Sequence, residues 1–247
     1  MERSIDISIC MITHNEEKRL RRCLNSIQWA REIVLVDSGS QDQTLAIAKL
    51  FGCKIFEVPW RGYGPQKQFA VSKASFPWIL SIDADEVVSP ELRDEIAVML
   101  KNPTFNAYAC PRKNYIGEKW IRYGGWYPDY IIRLFRKEEA LMSSDKVHEK
   151  VLTNGGYGLL KNPLLHFTSG NLGERLEKES RYSLLKADQI KTENHPWLQL
   201  FLRPIWKFLK LYFLQSGWRD GKIGFLLAAT KGYGVLVTYA KLLARGY

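Results

Sequence analysis

The 247-residue chain carries 36 Lys and Arg against 26 Asp and Glu, a formal net charge of +10, with 46% hydrophobic and 25% charged residues. That balance describes one globular domain of generous size, or one domain with an appendage, and excludes a disordered chain. The four cysteines, Cys10, Cys23, Cys53 and Cys110, show neither a Cys-x-x-Cys pair nor zinc-ligand spacing, and the opening Met-Glu-Arg-Ser-Ile-Asp lacks a basic region followed by an apolar run. A cytoplasmic setting with free thiols is the expectation.

The first half alternates short β-branched runs with helix-length amphipathic stretches, the pattern of βαβ units feeding a mostly parallel sheet. Strands are expected at Ile5–Thr13, Glu32–Val36, Lys54–Val58 and Trp78–Ile82, with helices near Glu16–Ile27, Asp42–Phe51 and Gly64–Lys73 between them. Ser89-Pro90-Glu91 supplies an N-cap, a proline at the first helical position and an acid in the first turn, opening a helix to about Lys101. From Asn106 to Phe167 strand-like pieces follow, Ala107–Arg112, Tyr130–Arg136 and Leu164–Phe167, separated by Gly124-Gly125, Asn154-Gly155-Gly156 and Asn162-Pro163 turns. Antiparallel strands added to the parallel sheet suit this section, and helix resumes after Thr168-Ser169-Gly170. The fold class is therefore α/β, an open mixed sheet flanked by helices over residues 1–170, with a helical, basic and aromatic extension over 171–247.

Charge is concentrated in that extension. Residues 196–247 hold Arg203, Lys207, Lys210, Arg219, Lys222, Lys231, Lys241 and Arg245 against the single acid Asp220, interleaved with Trp197, Phe201, Trp206, Phe208, Tyr212, Phe213 and Trp218. Cations mixed with aromatics and long aliphatic runs fit an anionic membrane surface better than a nucleic-acid duplex. Arg203, Lys207 and Lys210 fall at i, i+4 and i+7 and form one basic stripe on an otherwise apolar helix, whereas Ile223–Ala240 falls just short of a membrane span. A helix lying on the surface is the expectation. A hairpin packed on its own domain or on a second subunit is the alternative.

In an open α/β sheet, ligands bind outside the carboxyl ends of the strands. Three such ends are polar: Thr13-His14-Asn15-Glu16-Glu17, Val36-Asp37-Ser38-Gly39-Ser40-Gln41-Asp42 and Asp83-Ala84-Asp85-Glu86. Asn15 could cap the following helix, and Ser40-Gln41-Asp42-Gln43 has the capping-box pattern, but capping explains neither Asp37 nor Asp83. Asp83 and Asp85 repel each other at the end of an apolar strand unless something cationic intervenes. A hard divalent ion, Mg²⁺ or Mn²⁺, shared with the phosphates of a nucleotide would supply that charge.

Taken in order, these three strand ends resemble the family 2 glycosyltransferases of the GT-A fold. Trp126-Tyr127-Pro128-Asp129, Arg133-Leu134-Phe135-Arg136 and Val147-His148-Glu149 are similar to the lipopolysaccharide core β-1,4-glucosyltransferase subgroup. The resemblance covers roughly residues 5–170. It implies an inverting, metal-dependent transfer of a hexose, glucose foremost, from a UDP-sugar to a lipid-linked saccharide, by an enzyme peripheral on the inner face of the cytoplasmic membrane. It places Thr13, Asn15, Glu16 and Asp37 around uracil and ribose, Lys67 near the nucleotide, Asp83 facing the ribose, and Asp85 on the metal with His148 as a further contact. The Glu-Asp pair that usually holds the general base of the broader family is missing from this region. Asp129 takes that role in this reading, with Glu149 in reserve and an Asp129–Arg133 ion pair as the competing explanation. Trp120 and Trp126 are candidates to stack on a sugar ring or simply to pack. A same-fold enzyme acting on a peptide or capsular glycan, or a basic nucleic-acid-binding protein, are the rival readings; the latter predicts steep salt dependence and indifference to Asp85.

Overall fold

The computed structural model describes residues 5–142, 151–153, 155–168, 172–187, 190 and 196–244. Strand β1 (Ile5–Thr13), helix α1 (Glu17–Asn25), β2 (Ala30–Asp37), α2 (Thr44–Leu50), β3 (Lys54–Glu57), α3 (Tyr63–Ser72) and β4 (Trp78–Ser81) follow in the expected alternation. Next come β5 (Glu86–Val88), α4 (Pro90–Met99), β6 (Ala107–Ile116), β7 (Lys119–Trp120), β8 (Tyr130–Arg136), β9 (Ala140–Met142), β10 (Val151–Thr153), β11 (Gly158–Leu159) and β12 (Leu164–Thr168). Helices α5 (Leu172–Ala187), α6 (Pro196–Leu209) and α7 (Gly221–Ala244) complete the chain.

The main sheet has the order β3-β2-β1-β4-β8-β6-β12-β5. Pairings from β3 through β4 are parallel, and β8 joins β4 and β6 antiparallel. β1 is an apolar run because it is buried on both faces. Ile7, Ile9 and Met11 pack with Leu20, Leu24, Ile33 and Leu35 on one side, while Cys10 faces Val34, Val71, Ile79 and Phe135 on the other. This central burial ends the parallel strands in register: Thr13 lies beside Asp37, and Cys10 beside Ser81. Helix α4 starts as its sequence specifies, with Ser89 Oγ accepting from the Leu92 amide at 3.1 Å and Pro90 in the first turn.

Two compact units emerge: 1–112 with 130–166, and 113–129 with 167–247. Residues 113–129 thus group with the C-terminal helices rather than with the rest of the expected 1–170 domain. The reason is a buried acid. Asp220, 4% exposed, accepts hydrogen bonds from the Arg122 and Tyr123 amides at 3.2 and 2.9 Å, and its backbone oxygen accepts from Lys119 Nζ. The Gly124 amide adds a bond to the Gln215 carbonyl at 2.9 Å.

Within this second unit α7 packs on α5 and α6 through small residues. A Cβ on Gly232 would stand 3.1 Å from the Pro204 carbonyl, and Lys231 Nζ pairs with Glu179 at 2.6 Å. Helix α6 passes into a π-helical turn at Lys210–Leu214, closed by the Gln215 amide on the Lys210 carbonyl at 2.8 Å. Gly224 is the tightest point of the unit: a Cβ there would sit 1.9 Å from the Gly217 carbonyl oxygen. Gly224→Val is expected to destabilise the protein by at least about 2 kcal/mol through overpacking against backbone. Urea unfolding checks this, and a loss below about 0.5 kcal/mol would contradict the packing described.

Candidate active site

The loops after β1 and β2 interlock. Thr13 Oγ1 donates to Asp37 Oδ2 at 2.9 Å, and Asp37 also accepts from the Gly39 amide at 2.9 Å, the Ser40 amide at 2.7 Å and Ser40 Oγ at 2.6 Å. Fully buried, Asp37 is saturated by these bonds and fixes the path of the 38–40 turn. Asn15 adopts a left-handed φ of 55°, which Asn tolerates, and clasps the same turn: its amide donates to Ser40 Oγ at 2.8 Å and its Oδ1 accepts from the Gln41 amide at 2.9 Å.

Neither expected cap forms as the local pattern suggested. The N-caps of α1 and α2 are Glu16 and Gln43, and neither makes a side-chain capping bond. The orphan amides are satisfied partly across the loops instead, Glu16 N on Thr44 Oγ1 at 2.8 Å and Glu17 N on Asp42 Oδ2 at 3.1 Å. Asp42 also accepts from the Thr44 amide at 2.9 Å, so a residue of the second loop serves both helices.

The acidic turn after β4 is organised by cations of the protein. Asp83 Oδ1 lies 2.8 Å from Lys67 Nζ, and Asp83 Oδ2 lies 2.6 Å from Arg133 Nη2. The same guanidinium meets Glu86 Oε1 at 2.6 Å, and Arg112 stands 3.8 Å from that oxygen. Glu86, fully buried, closes the turn by accepting from the Asp83 amide at 2.9 Å. Burial opposes ionisation of Asp83, yet Arg133 and Lys67 outweigh it and hold the carboxyl well below its ordinary value. Burial likewise opposes the charge on Arg133, and Asp83 and Glu86 more than restore it. The cation between the carboxylates, inferred from their repulsion to be a divalent ion, is for Asp83 a pair of side chains. Arg133, named as the competing partner for Asp129, meets Asp83 and Glu86 in this cluster.

Asp85 lies apart from this cluster. Its Oδ2 is 3.3 Å from His166 Nε2, both side chains about one-fifth exposed at 23% and 20%. His166 reaches it because β12 pairs antiparallel with β5, in the register His166 to Glu86. Nearby, burial pushes the Glu16 carboxyl above its ordinary value, and although Arg19 pulls it back, Asp85 and Asp42 add to the push. A carboxylate and an imidazole within 3.3 Å of each other, in a field that already disfavours a further negative charge, would suit a divalent ion that drew its remaining ligands from water and phosphate. Among the described residues no cluster of three or more His, Cys, Asp or Glu could hold a metal unaided.

The structure thus brings Thr13, Asn15, Glu16 and Asp37 to one pair of strand ends, and Lys67 and Asp83 into one ion pair. His148 and Glu149, expected as metal contact and reserve base, lie outside the described residues. Asp129 sits in the second compact unit, immediately before β8. Three residues escaped the sequence reading: Glu86 as the closing acceptor of the turn, Arg133 as its cation, and His166 as the neighbour of Asp85.

A family model for glycosyl transferase family 2 matches residues 8–159. The chain belongs to glycosyltransferase family 2. It is 35% identical over 257 aligned residues to the lipopolysaccharide core biosynthesis glycosyltransferase LpsC of Rhizobium meliloti (strain 1021), covering 98% of this chain and 93% of that protein. A glycosyltransferase of Rickettsia typhi described as uncharacterized is 31% identical, with 96% of this chain and 86% of that one covered. Among solved structures, S. aureus TarS 1-349 in complex with UDP is similar in fold, with a TM-score of 0.51 at 14% identity, covering 98% of this chain and 92% of that one. The expected GT-A architecture, a mixed and mostly parallel sheet flanked by helices, is the one observed, and the chain is a glycosyltransferase.

Arg133→Met strands Glu86 without its closest cation and is expected to cost roughly 3–5 kcal/mol at neutral pH. Because the native Asp83 carboxyl lies below its unfolded value, the network contributes in full above about pH 4 and is lost as pH falls through the native value. The gap between wild type and variant should therefore hold above about pH 4 and narrow only below it. Denaturant unfolding from pH 7 down to about pH 2 measures it, and a gap that stays constant below about pH 4 would overturn the assignment.

Proposed function

We propose that the enzyme transfers a hexose, glucose foremost, with inversion from a UDP-sugar to a lipid-linked saccharide of the lipopolysaccharide core type, assisted by Mg²⁺ or Mn²⁺. The observation that carries the donor half is the separation of the two aspartates: Asp83 locked by Lys67 and Arg133, Asp85 left beside His166. Support for UDP comes from the fold, shared with a TarS protein crystallised with UDP, and support for the acceptor from the likeness to LpsC.

In this reading the interlocked loops hold the nucleoside through Thr13, Asn15, Glu16 and Asp37, with Asp37 acting by shaping the 38–40 turn. Lys67 and Arg133 keep Asp83 ionised and in place toward the ribose. Asp85 and His166 would hold the cation, which would supply positive charge against that developing on the departing nucleoside diphosphate. His148 remains a candidate contact. Asp129 accepts the proton from the attacking acceptor hydroxyl, with Glu149 as the alternative base.

The peripheral membrane setting is proposed from α6, whose solvent face is apolar. Trp197, Phe201, Leu202, Ile205 and Trp206 are each 57–60% exposed, and Phe213 and Leu214 extend the patch. Arg203, by contrast, turns to α7, where it donates to the Tyr239 hydroxyl. The expected basic stripe thus partly braces the hairpin, while Lys210, Arg219 and Lys222 are exposed. Residues Gly217–Ala244 are long and apolar enough to cross a membrane, but 44% of that window is buried within the protein. A surface-lying α6 accounts for both observations.

Calorimetric titration of UDP and GDP with and without Mn²⁺ tests the donor site. UDP binding should require Mn²⁺ and weaken at least about tenfold in Asp85→Ala and His166→Ala, the equivalent of about 1.4 kcal/mol. Absence of nucleotide binding under every metal condition would overturn the reading. Sedimentation with phosphatidylglycerol vesicles tests the membrane face: wild type should pellet, and Phe201→Ser with Trp206→Ser should not. Equal pelleting of both would refute a docking role for α6.

A further inference from the structure

The loop that Asp220 pins carries Arg122, strand β6 carries Lys113, and the proposed donor chemistry uses neither cation. Lys113 Nζ lies 4.4 Å and Arg122 Cζ 4.1 Å from the centre of the Trp120 ring, and Tyr127 meets that ring edge-on at 5.3 Å. Among the described residues neither cation has a carboxylate partner. Elsewhere in the same unit, the buried Asp220 faces backbone amides and Glu179 is taken by Lys231. Trp120 Nε1 is a buried donor without a hydrogen-bond acceptor.

These facts fit together physically. An aromatic face holds a guanidinium or ammonium by its quadrupole without neutralising it, so both positive charges remain available to an incoming anion. Backbone anchoring of Arg122 and Tyr123 to Asp220 fixes the segment that presents Arg122, reducing the ordering cost of binding. With cations already over its ring, Trp120 is not a bare stacking platform for a sugar. It is a holder of charge.

The geometry points to Lys113, Trp120 and Arg122 as a clamp for an anionic substituent, phosphate or carboxylate, on the acceptor saccharide. This assignment rests on the reading of the chain as a transferase to a saccharide. It makes the acceptor an acidic glycan rather than a neutral one. Guanidinium and ammonium donors bind both oxyanions through charge-assisted hydrogen bonds, and neither finds a partner in a neutral hexose.

The test uses full-length protein labelled with ¹⁵N-tryptophan, the Trp120 indole signal being assigned by Trp120→Phe. Glucose 6-phosphate, glucuronate, inorganic phosphate and glucose are titrated in turn, and UDP with Mn²⁺ is titrated on the same samples. Glucose 6-phosphate or glucuronate should shift the Trp120 signal at concentrations where glucose does not, and Lys113→Gln and Arg122→Gln should each weaken that binding about tenfold, as expected for one lost charge-assisted bond. A response to glucose 6-phosphate alone selects phosphate, and one to glucuronate alone selects carboxylate. Equal binding by the two variants and wild type, an equal response to glucose, or a response to inorganic phosphate without either sugar anion would overturn the clamp. Retained UDP binding in the same samples would show that the clamp had failed and the donor reading had not.

Discussion

The arrangement on which the proposed donor site depends is the ion cluster of Asp83, Glu86, Lys67 and Arg133. Two carboxylates at the end of a buried strand cannot share a tight turn in low dielectric without counter-charge. Lys67 from α3 and Arg133 from β8 provide it within 2.8 Å, and the buried Glu86 closes the turn. With that repulsion removed, Asp85 is free to lie beside His166. The different surroundings of two aspartates only two residues apart are thus an outcome of which cations reach which carboxylate.

Much of the fold was legible because its signals are local. Apolar runs marked β1 to β4, and Ser89-Pro90-Glu91 marked α4 with the cap found at Ser89. β5, only three residues long, was hidden between the acidic turn and that cap. The helix caps were misassigned for a physical reason: Asp42 and Thr44 satisfy amides of α1 from 25 and 28 residues away, an exchange made possible by parallel strand ends in register. Arg133 and His166 were missed likewise, since each meets the acidic turn only through antiparallel pairing of β8 with β4 and of β12 with β5.

The C-terminal unit illustrates a different limit of sequence patterning. Amphipathicity in α6 was visible, but not which face would be covered. α7 takes the side carrying Pro204 and Arg203, through a glycine at 232 and the Tyr239 hydroxyl, and leaves tryptophans and aliphatics outside. The apolar side of α6 thus stays uncovered by the helix packed against it.

The dispersed origin of the acidic cluster bears on the order in which the enzyme can be made. Lys67, Asp83 and Glu86 emerge from the ribosome well before Arg133, and His166 later still. A nascent chain ending near α4 already contains the parallel strands β1 to β4, yet its Glu86 lacks Arg112 and Arg133 alike. The acidic turn can therefore settle only after the antiparallel strands have been synthesised and added to the sheet. Until then the growing chain carries a frame able to fold around β1, but with the carboxylates of its future site still dependent on water for solvation.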